Sequence, residues 1–496
     1  MRSIHSRALL AAGGVILALA ACSQDLTIPN TNQPDTKRAI STPSDVEQLA
    51  ATSIADWHDA TNEMTPAQAL AVMADALTSS YNNFGMNLSS AEPRMAYPNN
   101  TTGGDYTAMA QDPWYNNYTA LGEANDALGA MANGITVSDG YKELAMLTQG
   151  LTLGNIALIF DKGWAVDETM ELPVPVEDLK PYGDVAAFAV SKLDAVIAST
   201  SSASWELPHD VLPIDGIDLT AENIGKLANT MAARILAYTP RNAAENAAVD
   251  WSKVLQYAEN GISSGTPFDF AVVEDNGTIW WDGYKAYGNY GPWNRVSMRI
   301  MHEMNPNLPE RYTTCSSIPE DAAGFTDHRY ETDFLYIGTI PFACARGAWH
   351  FSNWEHARYG QKATKGDVSW YSGTFTGVAP MVLAAENDLL WAEALVRTGG
   401  DLTLAAEKVN NTRVGRGELP PVAADANAIL DAIHYEQDVE LLTTGGGLQW
   451  FNRRRIDGLQ PGTPRHLPIP AKELEIDQLP IYTFGGAAPN PVFPDQ

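Results

Sequence analysis

The sequence predicts a mostly α-helical protein in which tetratricopeptide-like helix pairs carry a long, loop-rich elaboration. Three observations predict it. Apolar residues recur at helical spacing across residues 43–264 and again across 379–445. Between them, residues 265–378 exchange that periodicity for Gly, Pro, Asn and aromatic residues. A chain of 496 residues with 45% hydrophobic content can bury a large core. Antiparallel helix pairs cannot cover their apolar faces alone and need neighbours stacked on them. No strict period of about 34 residues is visible, so the pairs are repeat-like rather than a regular array.

Residues 1–21 read as an export signal: Arg2 and Arg7, an apolar run from Ala8, then Leu19-Ala20-Ala21 before Cys22. This is the pattern of a bacterial lipoprotein, cut ahead of Cys22 and lipidated on it. The run is about fourteen residues long, short of the roughly twenty that span a bilayer, which disfavours a transmembrane anchor. More than one acyl chain on Cys22 would hold the protein on a membrane, at about 0.8 kcal/mol for each buried methylene. No Asp directly follows Cys22, and in Gram-negative lipoproteins an Asp there favours inner-membrane retention. The expected location is therefore the outer membrane. Residues 22–42, with Ile28-Pro29-Asn30-Thr31-Asn32-Gln33-Pro34, read as a flexible spacer.

The body, residues 43–496, begins with a helix over Asp45 to Trp57, for which Ser44 can serve as the cap, and a second opened by Thr65-Pro66. Further helices are expected near 113–132, 141–160, 183–198, 221–239 and 250–262. Their frequent alanines would let neighbours pack closely. In the elaboration, Phe334-Leu335-Tyr336-Ile337 has the look of a strand. Helices return at 379–397, 402–414 and 426–443, the last stopped by Gly445-Gly446-Gly447, and residues 446–496 are loop-rich.

The formal charge is −29, more negative still once Arg2 and Arg7 leave with the signal. Such a surface repels phosphate backbones, so nucleic acid is excluded as a partner, while neutral ligands such as glycans remain open. With Cys22 acylated, Cys315 and Cys344 are the two remaining cysteines of an exported chain. A disulfide between them is expected and would contribute roughly 3.6 kcal/mol; two free buried thiols are the alternative.

The segment TIWWDGYKAYGNYGPWNR concentrates Trp280, Trp281, Tyr284, Tyr287, Tyr290 and Trp293, with Asp282, Asn289, Asn294 and Arg295 beside them. Sugar rings present apolar C–H faces edged by hydroxyls, so flat aromatics with polar neighbours suit them. The competing reading is a small core under the long loop. A second candidate segment carries Tyr81, Asn82, Asn83, Phe84, Arg94 and Tyr97, and a third Trp349, Trp354, Trp370 and Tyr371. The proposed ligand contacts are Trp280, Trp281, Tyr287, Tyr290, Trp293, Arg295, Tyr81, Asn83 and Tyr97. No catalytic residue is assigned. Gly-x-Ser-x-Gly, His-Glu-x-x-His and phosphate-loop motifs are absent, and His302-Glu303 lacks a second histidine. No cofactor and no metal site is expected; Asp215-Gly216-Ile217-Asp218 reads as a turn rather than a calcium loop.

Several segments, in order, resemble the SusD/RagB family of outer-membrane nutrient-binding lipoproteins. They are Trp114, Tyr118, Leu121, Ala124 and Asn125; KLANTMAARILAY with Trp251 and Tyr257-Ala258; and Glu386, Ala392-Glu393-Ala394, Val409-Asn410 and Arg413. Glu436, Glu440-Leu441, Gly447, Trp450-Phe451, Arg454, Leu467-Pro468-Ile469-Pro470 and Glu473 follow. Gln437, Asn452 and the tail after Glu473 depart from the pattern. The resemblance implies a SusD-like fold and a SusC-type TonB-dependent outer-membrane barrel as partner. It further implies that the protein captures oligosaccharides, or alternatively peptides, for import, without being an enzyme; a surface glycoside hydrolase is the less favoured alternative. Glu386, Glu393, Arg413, Trp114, Trp450 and Phe451 are expected to be packing residues.

Overall fold

In a computed structural model, residues 40–171, 173–264, 268–275, 279–288, 293–339, 342–359 and 376–486 are described. Cys22, most of the spacer and Tyr290, Trp370 and Tyr371 lie outside them. Eleven helices of eight or more residues are described in the body. They are α1 (Pro43–Asn62), α2 (Met64–Met73), α3 (Asp105–Ala132), α4 (Asp139–Ile159), α5 (Tyr182–Thr200), α6 (Ala221–Tyr238), α7 (Trp251–Glu259), α8 (Ala384–Thr398), α9 (Leu402–Arg413), α10 (Ala426–Val439) and α11 (Leu448–Arg455). The fold is mostly α, as expected, and its helices stack as neighbours: α1 and α4 on α3, α5 on α4, then α6, α7, α8, and α9 and α10 beside α8.

Caps explain where several helices begin. Thr42, not Ser44, caps α1: its hydroxyl accepts from Asp45 N at 3.3 Å, and Asp45 Oδ2 accepts from Thr42 N at 2.8 Å. Ser44 falls inside the first turn because Pro43 takes the first helical position, where its missing N–H costs nothing. Asp250, Asp401 and Asp425 cap α7, α9 and α10 in the same manner. Gly150 and Gly154 let α4 meet Leu193 of α5 and Ile235 of α6 closely, since a Cβ at either would collide with those side chains.

Arginines close the other ends. The Arg241 guanidinium donates to Ala157 O at 2.5 Å and Thr239 O at 2.6 Å, and Arg454 donates to Leu158 O at 2.6 Å and Tyr238 O at 2.9 Å. Both satisfy orphan carbonyls at the C-termini of α4 and α6, where the helix dipole also favours a cation. Trp114, Trp450 and Phe451 are core residues, as the sequence suggested. Glu386 pairs with Arg234, and Glu393 is held bidentately by Arg455 at 2.6 and 2.8 Å. Arg413 serves neither acid; it donates to Pro420 O at 2.9 Å.

The chain leaves the helical stack after α7 and re-enters it at α8, which packs on α7. The residues between include β1 (Phe270–Asp275), β2 (Phe334–Tyr336), β3 (Trp354–His356) and β4 (Thr376–Val382). β1 pairs antiparallel with β4, and β2 with β3. The expected helix from Ala379 begins only at Ala384. Residues 379–382 extend along β1 instead, and Pro380, which could not donate inside a helix, sits beside the register shift between Pro380 and Val382. Asp215-Gly216 forms the expected turn, with Gly216 at φ +70°. Cys315 and Cys344 form the disulfide, with Cα atoms 5.7 Å apart.

Candidate functional site

The aromatic segment is fixed on α2 and the chain that follows it. Gln68 of α2 donates to Tyr284 O at 2.8 Å and accepts from Asn294 Nδ2 at 2.8 Å. Leu77 and Thr78 pair antiparallel with Val296 and Arg295, and Ser79 Oγ donates to Trp293 O at 2.6 Å. Buried polar groups thus find partners, and the segment is held at both ends.

Between those anchors four half-buried rings converge. Tyr287 stacks on Trp293 with centroids 4.7 Å apart and planes 16° from parallel. Phe84 meets Tyr287 edge-on at 5.3 Å, and Trp281 meets it edge-on at 6.5 Å. Tyr81 and Asn83, on the loop that supplies Phe84, are also half-buried, with Tyr81 edge-on to Phe342. Two candidate segments far apart in sequence therefore share one aromatic face.

The other expected contacts are buried, and of them Trp280 alone also lines the cavity described below. Trp280 is only 5% exposed and abuts the His58 ring at 5.2 Å, because its neighbour Trp281 takes the outward position. Tyr97 is buried, its hydroxyl donating to Tyr106 O at 2.7 Å. Arg295 is buried beneath Thr339, to whose carbonyl its Nη2 donates at 3.3 Å. Asp282 forms a fully buried ion pair with Lys285 at 2.5 Å, and Asn294 and Trp354 are buried as well. The reason is common: a compact loop must fill its own interior, and most of the described aromatic and polar side chains between Trp280 and Arg295 do so.

Trp281 also walls a cavity of about 610 Å³ that sequence reasoning did not anticipate. Ile279, 63% exposed, also lines it, together with Asp56 and Asp59 of α1 and Glu63 just past the end of that helix. Asp112 and Glu123 of α3 lie close to these acids, and Asp56 shares a hydrogen bond with Glu123. Among the described residues none of the five forms an ion pair. Burial, reinforced by Asp59 and Asp112, pushes Glu63 up to about 7; burial and Asp56 push Glu123 up to about 7, and burial alone takes Asp112 to about 6. The signal was present: positions 56, 59 and 63 fall on one helical face. Among the described residues no group of three or more His, Cys, Asp or Glu could hold a metal ion, and no helix is long and apolar enough to cross a membrane.

No protein-family model matches the chain, and no curated protein matches it in sequence. Solved structures do match its fold. A SusD homolog from Bacteroides thetaiotaomicron superposes with a TM-score of 0.61 at 12% identity, over 92% of this chain and 99% of that one. A SusD superfamily protein from Bacteroides vulgatus gives 0.60 at 14% identity, over 88% and 97%. A SusD-like carbohydrate binding protein from Bacteroides fragilis gives 0.57 at 14% identity, over 83% and 86%. The chain has the SusD-like fold.

Proposed function

We infer that this chain is a SusD/RagB-type lipoprotein that binds glycans at the cell surface. On this reading it is tethered to the outer membrane through Cys22 and passes its ligand to a SusC-type TonB-dependent barrel. The observation that carries the binding role is the half-buried face of Phe84, Trp281, Tyr287 and Trp293, formed where the loop after α2 meets the elaboration on a SusD-like frame. Ring faces of this kind suit the C–H surface of a pyranose, and the adjoining cavity is of the size that accepts small ligands. The SusD-like carbohydrate binding protein among the similar structures supports the ligand class. The lipoprotein signal, and the spacer behind it, support the tether.

Calorimetry with a panel of oligosaccharides tests the binding role: heat of binding with at least one glycan is expected, and none with short peptides. A peptide ligand is the second reading. The unpaired acids beside Trp281 favour it, because they would receive a basic side chain, and heat with basic peptides alone would establish it. Long incubation with any glycan that binds should release no reducing ends; their release would establish a hydrolase instead. Purification from native outer membrane should bring a TonB-dependent barrel with the protein.

A further inference from the structure

Two further cavities of this protein treat their charges differently. The larger, about 850 Å³ between α5, α6 and α7, is lined by Lys226 and Lys253, and each is answered by an acid of the same cavity, Glu222 at 2.7 Å and Asp194 at 3.2 Å. The smaller, about 420 Å³, lies where α3 meets Trp164, Val174 and the short helix Ala471–Ile476. Its size is that of a small-molecule site, about 300–1,000 Å³. It shares no lining residue with the aromatic face or with the cavity beside Trp281.

The walls of the smaller cavity are apolar and held in place by the fold. Leu121 of α3, Val166, Val174 and Ile476 supply its aliphatic side, and Ile476 is 62% exposed, so the cavity opens to solvent. Tyr118 and Trp164 supply its aromatic side. The Tyr118 hydroxyl accepts from Trp164 N at 2.6 Å and donates to Trp164 O at 3.2 Å, while Trp114 in the core meets the two rings edge-on at 4.9 and 5.8 Å. A wall fixed in this way loses little freedom on binding.

Its only charged lining residues are Glu473 and Asp477, which the helical repeat sets on one side at i and i+4. Tyr115 donates to Glu473 Oε2 at 2.8 Å, whereas Asp477 Oδ2 is buried and meets no donor. Among the described residues neither acid forms an ion pair. Lys472, beside Glu473 in sequence, stands over the Tyr115 ring at 5.6 Å and does not line the cavity. Burial first, and then the charge of Asp477, raises the proton affinity of Glu473, and burial raises that of Asp477. A cation bound beside the aromatic rings and the two carboxylates offsets both effects.

We propose that this cavity is a second binding site, specific for a small organic ammonium ion, with Leu121, Val166, Val174 and Ile476 around its apolar body and Glu473 and Asp477 on its charged nitrogen. An anion would meet two carboxylates there, and a neutral molecule would leave both without a counter-charge. The site shares no residue with the glycan face, so either can exist without the other.

Calorimetry on the whole chain with three size-matched probes, 2-phenylethylamine, 2-phenylethanol and phenylacetate, at low and high salt tests the site. The amine should bind at least about tenfold more tightly than the alcohol, with an advantage that shrinks as salt rises, and phenylacetate should give no heat. Asp477→Asn should weaken the amine about tenfold and leave the alcohol unchanged. Gly122 of α3 lines the cavity, and a Cβ there would meet nothing within 4 Å. Gly122→Phe should therefore fill the space and abolish binding of amine and alcohol alike, with a melting temperature kept or raised because glycine is a poor helix former. Equal affinity for the amine and either other probe, no heat with any of the three, or amine affinity that survives Asp477→Asn or Gly122→Phe in a folded protein would overturn the site and leave the glycan reading standing. Loss of glycan binding in Gly122→Phe would overturn the separation of the two sites.

Discussion

Two groups of acids in this protein are treated in opposite ways. Where the elaboration meets α10, carboxylates and guanidiniums alternate. Arg329 donates to Asp327 at 2.7 Å, Glu436 at 2.7 Å and Glu440 at 3.1 Å, while Arg416 joins Asp333 to Glu440 and Arg358 adds a further contact to Glu440. Beside Trp281, Asp56, Asp59 and Glu63 line the cavity with Asp112 and Glu123 of α3 close to them, and no described cation pairs with any of the five. Pairing is spent where an irregular loop must be held on a helical frame. It is withheld where the surface is open to a ligand, and there burial and mutual repulsion raise the proton affinity of the acids instead.

Breaking the paired side should have the largest effect. Arg329→Met leaves Asp327, Glu436 and Glu440 without their shared cation inside the protein, and a loss of about 4 kcal/mol is expected in a urea titration. The disulfide between Cys315 and Cys344 ties the same elaboration together. Replacing both cysteines by serine should cost roughly 3.6 kcal/mol by the same measurement, since it frees the closed loop in the unfolded chain.

The unpaired side should respond in the other direction and more weakly. Glu63 titrates at about 7 in the folded protein against an ordinary value of 4.5, so its charged form opposes folding. That penalty is absent below pH 4.5 and complete above about 7. Glu63→Gln should therefore stabilise the protein near pH 8 by about 1 kcal/mol, after allowance for solvent screening, and give no gain near pH 4.5. Thermal melts of both proteins across pH check this. In both, acidification below about 6.5 adds an opposing cost, because His350, depressed to about 4, stays neutral when folded while the unfolded chain gains protons.

Long periodic helices were legible in the sequence because burial dictates their pattern: 141–160 is observed as 139–159 and 221–239 as 221–238. The stretch from Ala379 was misread because its apolar run suits a buried strand as well as a helix, and only pairing with β1 decides between them. At the site, the chemistry of the aromatic segment was legible and its geometry was not. Trp280 and Trp281 are adjacent, alike and both line the cavity, yet one is buried against His58 and the other is half-buried against Tyr287. Phe84 reaches Tyr287 only through the fold, and Asp56, Asp59 and Glu63 gain their raised proton affinity from burial first, with acidic neighbours adding to it at Asp59 and Glu63, neither of which a sequence displays.

The central claim is that the face of Trp281, Tyr287 and Trp293 binds the nutrient, and calorimetry on the doubly substituted Trp281→Ala, Trp293→Ala protein tests it most directly. With a glycan that the wild type binds, the account predicts affinity reduced by at least about tenfold in a variant whose melting temperature is almost unchanged. Undiminished affinity in that folded variant would contradict it.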